Sequence, residues 1–401
     1  MTGSRTKWEN KPMGQLETQL AALAQTADLC PCRQVALQRF RRIGLPAYHS
    51  EAYQRTDLSA MLEGEWTITE GSYQYNIEEL QLPEGAYIGP LSGFKGNLPK
   101  IYSTDEDPLQ ALIEGLDDHA FLVYLPKRAK LAQPLNYTYL LEQAPTGAML
   151  LSRFIIVVED EAEVEIVGYD RNRSANRSVS LQSTEIYVGR AAKLSLTDIE
   201  DSSAVAQRIS TLHLHQEGES VANLNFISLH SGKTRNNYYC DLAGEYASLS
   251  LGGIVIASDD EHVDNSSYIA HSVPHCTSNE LFKYVLSDRS YGVFTGRILV
   301  AQDAQKTQAY QNNRNLLLSS EARMQAKPQL EIYADDVKCS HGMTTGQLSE
   351  SALFYMRQRG IAKDEAKRLL SIAFAEDVLQ LIEREELRDS LREQVASRFT
   401  F

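Results

Sequence analysis

A thiol and an imidazole lie two positions apart toward the C-terminal end of this sequence, in Cys339 and His341. If this segment is extended, both side chains project from one face, with Cα atoms ~6–7 Å apart. A thiolate and an imidazole at that distance suit a soft metal such as iron or zinc, or sulfur transfer. Two side chains are only half of a four-coordinate set. The same pair also fits a buried cysteine beside a histidine that is bonded within a turn.

A second group of possible ligands consists of His271, His275 and Cys276. The spacing H-x3-H-C could hold a metal, but Pro274 makes the local backbone uncertain, so a shared face cannot be assumed. Packing against neighbouring strands is the more frequent role for such residues. We therefore expect this group to be structural.

Two weaker patterns carry little chemistry. His213 and His215 alternate on a predicted strand and share one face, but no further ligand joins them. Cys30 and Cys32 flank a proline and do not form a CxxC pair. We expect both patterns to be structural or incidental.

Phosphate binding and acid–base catalysis are both poorly supported. Gly232-Lys233-Thr234 ends like a phosphate-binding loop, but the glycine required five positions earlier is replaced by Ile227. The chain is therefore predicted to have no ATP site of its own. Asp335 and Asp336 are adjacent, so on a strand their carboxylates would point to opposite faces and would not cooperate.

The elements that must position these residues are mainly strands. Apolar residues alternate through the centre of the chain, and a small residue precedes four similar strands at a nearly constant interval. The four starting residues are Ala162, Ala192, Ala222 and Ala247. One strand motif per period of this size is typical of a β-solenoid. An antiparallel sandwich would also alternate and is the competing architecture.

An amide-rich run lies between this repeat and the Cys339–His341 pair. We expect it to form a stacked ladder at a solenoid turn, because amide side chains on successive coils can bond to one another. A substrate groove is the alternative interpretation. The run consists of Gln305, Lys306, Thr307, Gln311, Asn312, Asn313 and Asn315.

Helical patterns flank the repeat on both sides. Residues 14–43 carry apolar residues at helical spacing, and Gly44 ends the run. Ser349 to Arg359 is predicted to be a helix closed by Gly360, and further helices follow. The predicted domains are 1–120, helical and mixed; 121–346, the β core; and 347–401, helical. The apolar positions are Leu16, Leu20, Leu23, Val35, Leu37 and Phe40 before the repeat, and Leu369, Leu370, Phe374 and Val378 after it.

Composition excludes several classes of protein. A net charge of −14 argues against nucleic acid and anionic membrane surfaces as partners. The sequence contains no run of 18 apolar residues, so no membrane-spanning helix is predicted. Five scattered cysteines and a polar N-terminus predict a cytosolic protein with reduced thiols.

Several short motifs occur in a fixed order along the chain. They include Gly44-Leu45-Pro46, Glu51-Ala52-Tyr53-Gln54-Arg55-Thr56-Asp57-Leu58, Val263-Asp264-Asn265, Glu280-Leu281-Phe282-Lys283, Gly296-Arg297-Ile298, Asp335-Asp336-Val337-Lys338-Cys339-Ser340-His341-Gly342 and Leu353-Phe354-Tyr355. In order and spacing these motifs resemble the SufD family, whose members are scaffold subunits of the SUF iron–sulfur cluster assembly machinery. One departure is Met343, where the family more usually has alanine. The paralogous SufB subunit is usually longer and differs around the last of these motifs.

The resemblance implies a right-handed parallel β-helix flanked by helical domains, and a non-catalytic role. It implies a heterodimer with a SufB-like subunit and a SufC-like ATPase docked on the C-terminal helices, where Leu369, Leu370, Phe374 and Val378 are the expected contacts. An iron–sulfur cluster would be shared with the partner subunit, with His341 the expected ligand and Cys339 its helper or a sulfur relay. A homodimer is expected in isolation.

Two other classes of function stay open at the level of sequence. Solenoids often carry carbohydrate-active sites in which carboxylates align on one face. A homodimeric binding protein without a metal role is the third possibility.

Overall fold

The first elements that the structure describes are short helices and strands. The computed structural model describes residues 31–48, 50–99, 107–116 and 119–399. The N-terminal elements are α1 (Pro31–Ile43), α2 (Leu58–Met61), α3 (Pro108–Leu116), β1 (Thr67–Ile68), β2 (Ser72–Tyr75) and β3 (Tyr87–Pro90).

Helix α1 matches the second half of the predicted N-terminal helical run. Leu37 and Phe40 are buried on it, whereas Val35 is exposed. The helix ends where the sequence predicts, since Gly44 has a φ of 72° and its N–H donates to the carbonyl of Phe40 at 2.8 Å. The positions Leu16, Leu20 and Leu23 lie outside the described residues.

The centre of the chain is a parallel β-solenoid of about eight coils, as predicted. From β4 onward, strands with even numbers form one sheet and strands with odd numbers the other, so each coil contributes one strand to each sheet. The strands are β4 (Phe121–Leu125), β5 (Leu135–Leu141), β6 (Ala148–Val158), β7 (Glu163–Asn172), β8 (Ser178–Val188), β9 (Lys193–Asp201), β10 (Ala206–Gln216), β11 (Val221–His230), β12 (Lys233–Leu242), β13 (Ser248–Ala257), β14 (His262–His271), β15 (Thr277–Leu286), β16 (Tyr291–Val300), β17 (Gln308–Leu317), β18 (Arg323–Ile332) and β19 (Lys338–Gly346).

The predicted repeat of strands is present, but one of its four starting alanines does not occupy the position equivalent to the others. Ala222 pairs with Leu194, not with Ala192. The error arises because coil length varies. The step along the chain from Val221 to its partner Ser248 is shorter than the step from Thr277 to its partner Gln308.

One row of turns shows how the coils stay in register despite this variation. In each turn that precedes an odd-numbered strand from β5 to β17, one residue that is not glycine has a positive φ, and a buried residue follows it. Backbone bonds join the row from coil to coil, for example from Glu161 N–H to Arg190 carbonyl and from Ala191 N–H to Gly218 carbonyl. The row consists of Arg128, Glu161, Ala191, Glu219, Tyr246, His275 and Lys306.

The N-terminal helices cover the outer face of the even-numbered sheet. Apolar side chains of α1, α2 and α3 pack against Met149, Val179, Leu181 and Ile209 on β6, β8 and β10. At the start of the solenoid, β2 and β3 pair antiparallel with β5 and β4. These strands cover the edges of the first coil, where free backbone groups would otherwise remain.

Three helices follow the solenoid, and the last two of them pack on the outer face of the odd-numbered sheet. They are α4 (Glu350–Gln358), α5 (Lys363–Leu379) and α6 (Glu385–Arg398). Ser349 caps α4 by accepting a bond from the Ala352 N–H, and Gly360 follows the helix with a φ of 85°. Val378 of α5 lies over Gly252 of β13, where a Cβ would approach its side chain to 3.3 Å. The predicted C-terminal helices are therefore present, with α5 and α6 packed on the solenoid and α4 packed on α5.

The last coil leaves both sheets with an unpaired edge among the described strands. Strand β18 pairs only with β16, and β19 only with β17. The side chains of these two strands are partly buried or exposed, unlike those of the inner coils. We refer to this end of the solenoid, formed by β18, β19 and the turn between them, as the open end. Strand β18 stops at Ile332, so Tyr333 lies in that turn.

A search of the described residues for helices long and apolar enough to cross a membrane finds none.

Candidate functional site

Cys339 and His341 lie on β19, the edge strand at the open end. The strand is extended, and its register places Cys339 beside Ala309 and His341 beside Gln311 of β17. Ala309 and Gln311 are both fully buried in the solenoid interior. Because alternate residues of a strand share a face, Cys339 and His341 both belong to the inward face of the last coil. The predicted shared face is therefore present.

The two side chains differ in their surroundings. Cys339 packs against the central core, whereas His341 is exposed because none of the described residues forms a further coil over it. Burial raises the pKa of the Cys339 thiol, and the thiol is free. A protonated thiol is a poor metal ligand, so the imidazole is the better donor of the two until a cation or metal approaches the sulfur.

This pair supplies at most part of a coordination set. Among the described residues no three His, Cys, Asp or Glu side chains come together in a way that could hold a metal. A tetrahedral metal needs four ligands. Any cluster held at the open end would therefore need ligands in addition to Cys339 and His341.

The neighbouring acidic pair is part of a turn and not of a strand. Asp335 and Asp336 lie between β18 and β19. Asp336 forms an ion pair with Lys306 of the preceding turn, and its N–H donates to the side chain of Gln305 at 2.9 Å. Asp336 therefore holds the last turn on the one before it.

The second predicted group does not form a site. His271 is buried, with Nε2 2.8 Å from Ser278 Oγ, and burial lowers its pKa to about 4. His275 is exposed in a turn and stacks on Tyr246. Cys276 is buried and its thiol donates to the Gly244 carbonyl at 3.2 Å. These three side chains have separate surroundings, in agreement with the structural interpretation.

His213 and His215 also have structural partners. His213 is fully buried, with Nε2 2.9 Å from Asp107 Oδ2, and it stacks on Tyr239. His215 lies 3.4 Å from both Glu217 and Asp241. These acidic groups, chiefly Asp241, raise the pKa of His215.

Two motifs from the sequence remain, the Cys30–Cys32 pair and Gly232-Lys233-Thr234. Cys30 lies outside the described residues, and Cys32 lies in α1. Gly232 precedes β12, Lys233 begins it, and the Thr234 hydroxyl donates to the buried Glu200.

The amide-rich run differs from its prediction. Only its first three residues belong to a turn, and the rest lie on β17, where Gln311, Asn313 and Asn315 are buried. Gln311 donates to Glu280 of the preceding coil, and Asn313 to the Phe282 carbonyl. The expected ladder at a turn was wrong because the alternation of β17 directs these amides into the interior.

The residues predicted to dock a partner do not share one surface. Val378 is fully buried against the solenoid, and Phe374 packs beside it in the same cluster. Leu369 is exposed on α5, and Leu370 is half-buried. The apolar stripe thus serves mainly to attach α5 to the core, because the outer face of the odd-numbered sheet is itself apolar.

Sequence reasoning missed the exposed apolar side chains of α4. Phe354 and Tyr355 are 63% and 59% exposed. We refer to these two side chains and the exposed Leu369 of α5 collectively as the helical apolar surface. The sequence signal was present in the Leu353-Phe354-Tyr355 motif, but helical spacing alone did not show which of the three is buried.

A charged network inside the solenoid was also missed. Arg208 is buried and donates to Asp170 and Asp198 at 3.0 Å each, and to Asn236 at 2.6 Å. Burial raises the pKa of the nearby Glu200 to about 7. Polar residues at inward positions of successive strands were the available signal, but their meeting depends on coil register.

The N-terminal motif that begins at Glu51 has a structural role. Its Thr56 hydroxyl donates to Asp264, which also pairs with Arg235 at 2.6 Å. The guanidinium of Arg235 lies 4.5 Å from the centre of the Tyr53 ring. Glu51 extends this contact to the open end by accepting a bond from Lys327 of β18 at 2.7 Å.

The fold and the residues at the open end together define a class of protein. Its members are parallel β-helices with helical flanks and a cysteine–histidine pair on the last strand. The family description "SUF system FeS cluster assembly, SufBD core domain" matches residues 140–374, and "SufBD protein N-terminal region" matches residues 15–80. The chain therefore belongs to the SufBD family of the SUF iron–sulfur cluster assembly system, and the predicted relationship to SufD is confirmed.

Individual relatives agree with this assignment. The iron–sulfur cluster assembly protein SufD of Escherichia coli is 26% identical, covering 94% of this chain and 94% of its own. A SufBD family protein of Synechocystis is 34% identical over 71% of this chain and 64% of its own length. Protein ABCI7, chloroplastic, of Arabidopsis thaliana is 30% identical over 78% of this chain and 69% of its own.

Proposed function

We propose that this protein is a non-catalytic scaffold subunit on which an iron–sulfur cluster is assembled in the cytosol at the interface with a SufB-like subunit. The observation that carries the proposal is the placement of His341 and Cys339 on one face of β19, whose outer edge pairs with no other described strand. The cluster is cargo, built at the open end and passed on. His341 contributes a nitrogen ligand, and Cys339 assists or relays sulfur.

The surface around the pair supports the presence of a partner. Ile332, Tyr333 and Met343 are all exposed at the open end, with Tyr333 at 63%. Exposed apolar side chains beside free strand edges are typical of an interaction surface. A second β-solenoid could pair with β18 or β19 and bring further ligands to His341. In the absence of that partner, a second copy of this chain would occupy the same surface.

We also propose that a SufC-like ATPase docks on the helical apolar surface. Phe354, Tyr355 and Leu369 are exposed there, while the neighbouring Val378 anchors α5 to the core. Movement of the docked ATPase would therefore be transmitted to the solenoid through α5.

The proposal is tested by purifying this chain anaerobically with a SufB-like and a SufC-like subunit, supplying iron and sulfide, and measuring both elements after gel filtration. The expected result is a complex that retains iron and sulfide in proportion. His341→Ala should lose most of the iron, whereas His275→Ala, which alters another exposed histidine, should retain it. A complex in which His341→Ala holds as much iron as the wild type would refute the assignment of the ligand.

A further inference from the structure

A column of inward-facing polar residues lies directly beneath His341. Glu280 of β15 pairs in register with Gln311 of β17, which pairs in register with His341 of β19. The earlier positions of the same column are Leu251 and Leu224, which are apolar. This column therefore changes from apolar to polar only in the last three coils, toward the open end.

The hydrogen bonds of this column are incomplete. Gln311 Nε2 donates to Glu280 Oε2 at 2.6 Å, and both residues are fully buried. The amide oxygen of Gln311 has no hydrogen-bond partner within the described part of the chain. A buried carbonyl oxygen without a partner destabilises the folded state, so such a group usually has a partner in the working state of the protein.

The opposite wall makes room for this arrangement. Gly296 of β16 faces Gln311, and a Cβ at Gly296 would lie 2.3 Å from Gln311 Nε2. Any side chain at residue 296 would displace the amide from its position. The next residue above Gly296 in register is Pro328, which has no polar side chain to offer. His341 is thus the polar side chain that the last coil adds to this column.

We propose that Gln311 is a positioning residue for His341: its amide oxygen accepts the N–H of one imidazole nitrogen, leaves the other nitrogen for iron, and is oriented by the bond from its own NH2 group to Glu280. This inference rests on the proposed role of His341 as a ligand. Neighbouring coils are ~4.8 Å apart, which brings side chains in register within reach of one another. Metal-binding histidines usually donate their second N–H to such a partner, which fixes tautomer and ring orientation.

Glu280 decides which way the amide turns. Its carboxyl oxygen accepts from the NH2 group of Gln311, so the amide oxygen is left for the opposite neighbour. Without this bond the amide could turn over and present its NH2 group to the imidazole. The nearer ring nitrogen would then accept that bond, the other ring nitrogen would carry the proton, and no lone pair would be left for iron.

The test measures the tautomer of His341 directly, in the isolated full-length chain without metal. Histidine is labelled with ¹³C and ¹⁵N, and the ring signals of His341 are identified by their loss in His341→Ala. The wild type should show one predominant neutral tautomer. Gln311→Leu, which keeps the side-chain size but removes the acceptor, should shift the ratio to that of a freely solvated histidine. The matched control is Asn313→Leu, which removes a buried amide two residues along β17, beneath Met343, and should leave the wild-type ratio unchanged.

Two further measurements complete the test. Glu280→Gln should give a tautomer ratio between those of the wild type and Gln311→Leu, because an amide at residue 280 can either donate to or accept from Gln311 and so does not fix its direction. If Gln311→Leu does not fold, Glu280→Gln still tests the inference. In the complex with a SufB-like subunit, Gln311→Leu should lower the affinity for iron by about 10- to 100-fold. An unchanged tautomer ratio in both Gln311→Leu and Glu280→Gln would overturn the inference and leave the ligand role of His341 to its own test. Wild-type iron content in His341→Ala would instead refute the ligand role without altering the tautomer result.

Discussion

Single residues at the open end show how a repetitive fold produces a special position. The column of side chains that ends in His341 consists of leucines in the middle of the solenoid. It contains the polar residues Glu280 and Gln311 only near the open end. The spacing of Cys339 and His341 predicted their shared face. Gln311 could not be predicted as their neighbour, because it lies a whole coil earlier in the chain and coil lengths vary.

The first prediction concerns the buried carboxyl group of Glu280. Burial raises its pKa to about 7 in the folded chain, above the usual value of 4.5. Below pH 4.5 the group is protonated in both states, and above pH 7 it is ionised in both, so the folded state loses stability between these values as pH rises. Glu280→Gln does not titrate and should therefore gain stability relative to the wild type by roughly 1–3 kcal/mol from pH 4.5 to 8.

Urea denaturation of the two proteins across this pH range measures the difference. Glu331→Gln, in which the removed carboxyl is on the exposed edge strand, is the control and should show a small difference at every pH. A constant difference between Glu280→Gln and the wild type would mean that Glu280 does not titrate as described.

At the scale of elements, helix α5 is attached to the solenoid by a buried cation. Lys283 of β15 is 2% exposed, and its Nζ donates to the Phe374 carbonyl at 2.7 Å and to Asp377. The ammonium also lies 4.8 Å from the centre of the Phe374 ring. The sequence predicted α5 and its apolar stripe, but not that the stripe faces the solenoid, because the apolar outer face of the sheet is assembled from strands of many coils.

The second prediction is that Lys283→Met loosens α5 without unfolding the core. The change keeps the length of the side chain but removes two hydrogen bonds to a charged group, each of which contributes about 1.5–3 kcal/mol. Amide exchange should accelerate across 363–379 and stay slow in β9 to β15. Lys306→Met, which breaks an ion pair whose two partners are more than half exposed, should leave exchange in α5 unchanged. Equal acceleration in the two variants would show that Lys283 has no special part in holding the helix.

The third prediction concerns docking of the ATPase. Leu369→Asp should weaken binding of a SufC-like subunit at least tenfold, because it places a charge in the helical apolar surface without disturbing a buried side chain. Val205→Asp changes an exposed apolar residue in a solenoid turn and should have no effect. Titration calorimetry measures both. Removal of the helices after Gly346 is a less specific test, since it would expose the apolar face that they cover.

The whole molecule is a solenoid closed at one end and open at the other. Strands β2 and β3 pair with the first coil, helices cover both sheets, and the last coil has edges that no described strand pairs with. Strand alternation and the approximate period favoured a solenoid but left a sandwich open, and the resemblance to the SufD family decided between the two architectures. The phase of the repeat and the contents of the interior were not predictable, because each depends on turns whose length changes from coil to coil.

The fourth prediction is that the open end is the site of pairing. Met343 is 46% exposed on β19, so Met343→Lys should leave the fold intact while it places a charge where the partner approaches. The dissociation constant for a SufB-like subunit, measured by analytical ultracentrifugation, should rise about tenfold or more. Tyr246→Lys changes an exposed residue in a turn of an inner coil and should not affect pairing. Similar constants for wild type and Met343→Lys would place the interface elsewhere.

The most direct test of the account is the cluster level in cells that depend on this pathway and express either wild-type chain, His341→Ala or Cys339→Ser. The account predicts that His341→Ala abolishes cluster assembly while its complex with the SufB-like and SufC-like subunits is recovered intact, since an exposed side chain is removed and no large apolar volume is lost. Cys339→Ser should give the same or a milder defect. Wild-type cluster levels with His341→Ala would contradict the ligand assignment, and dissociation of the complex would show that the histidine is structural.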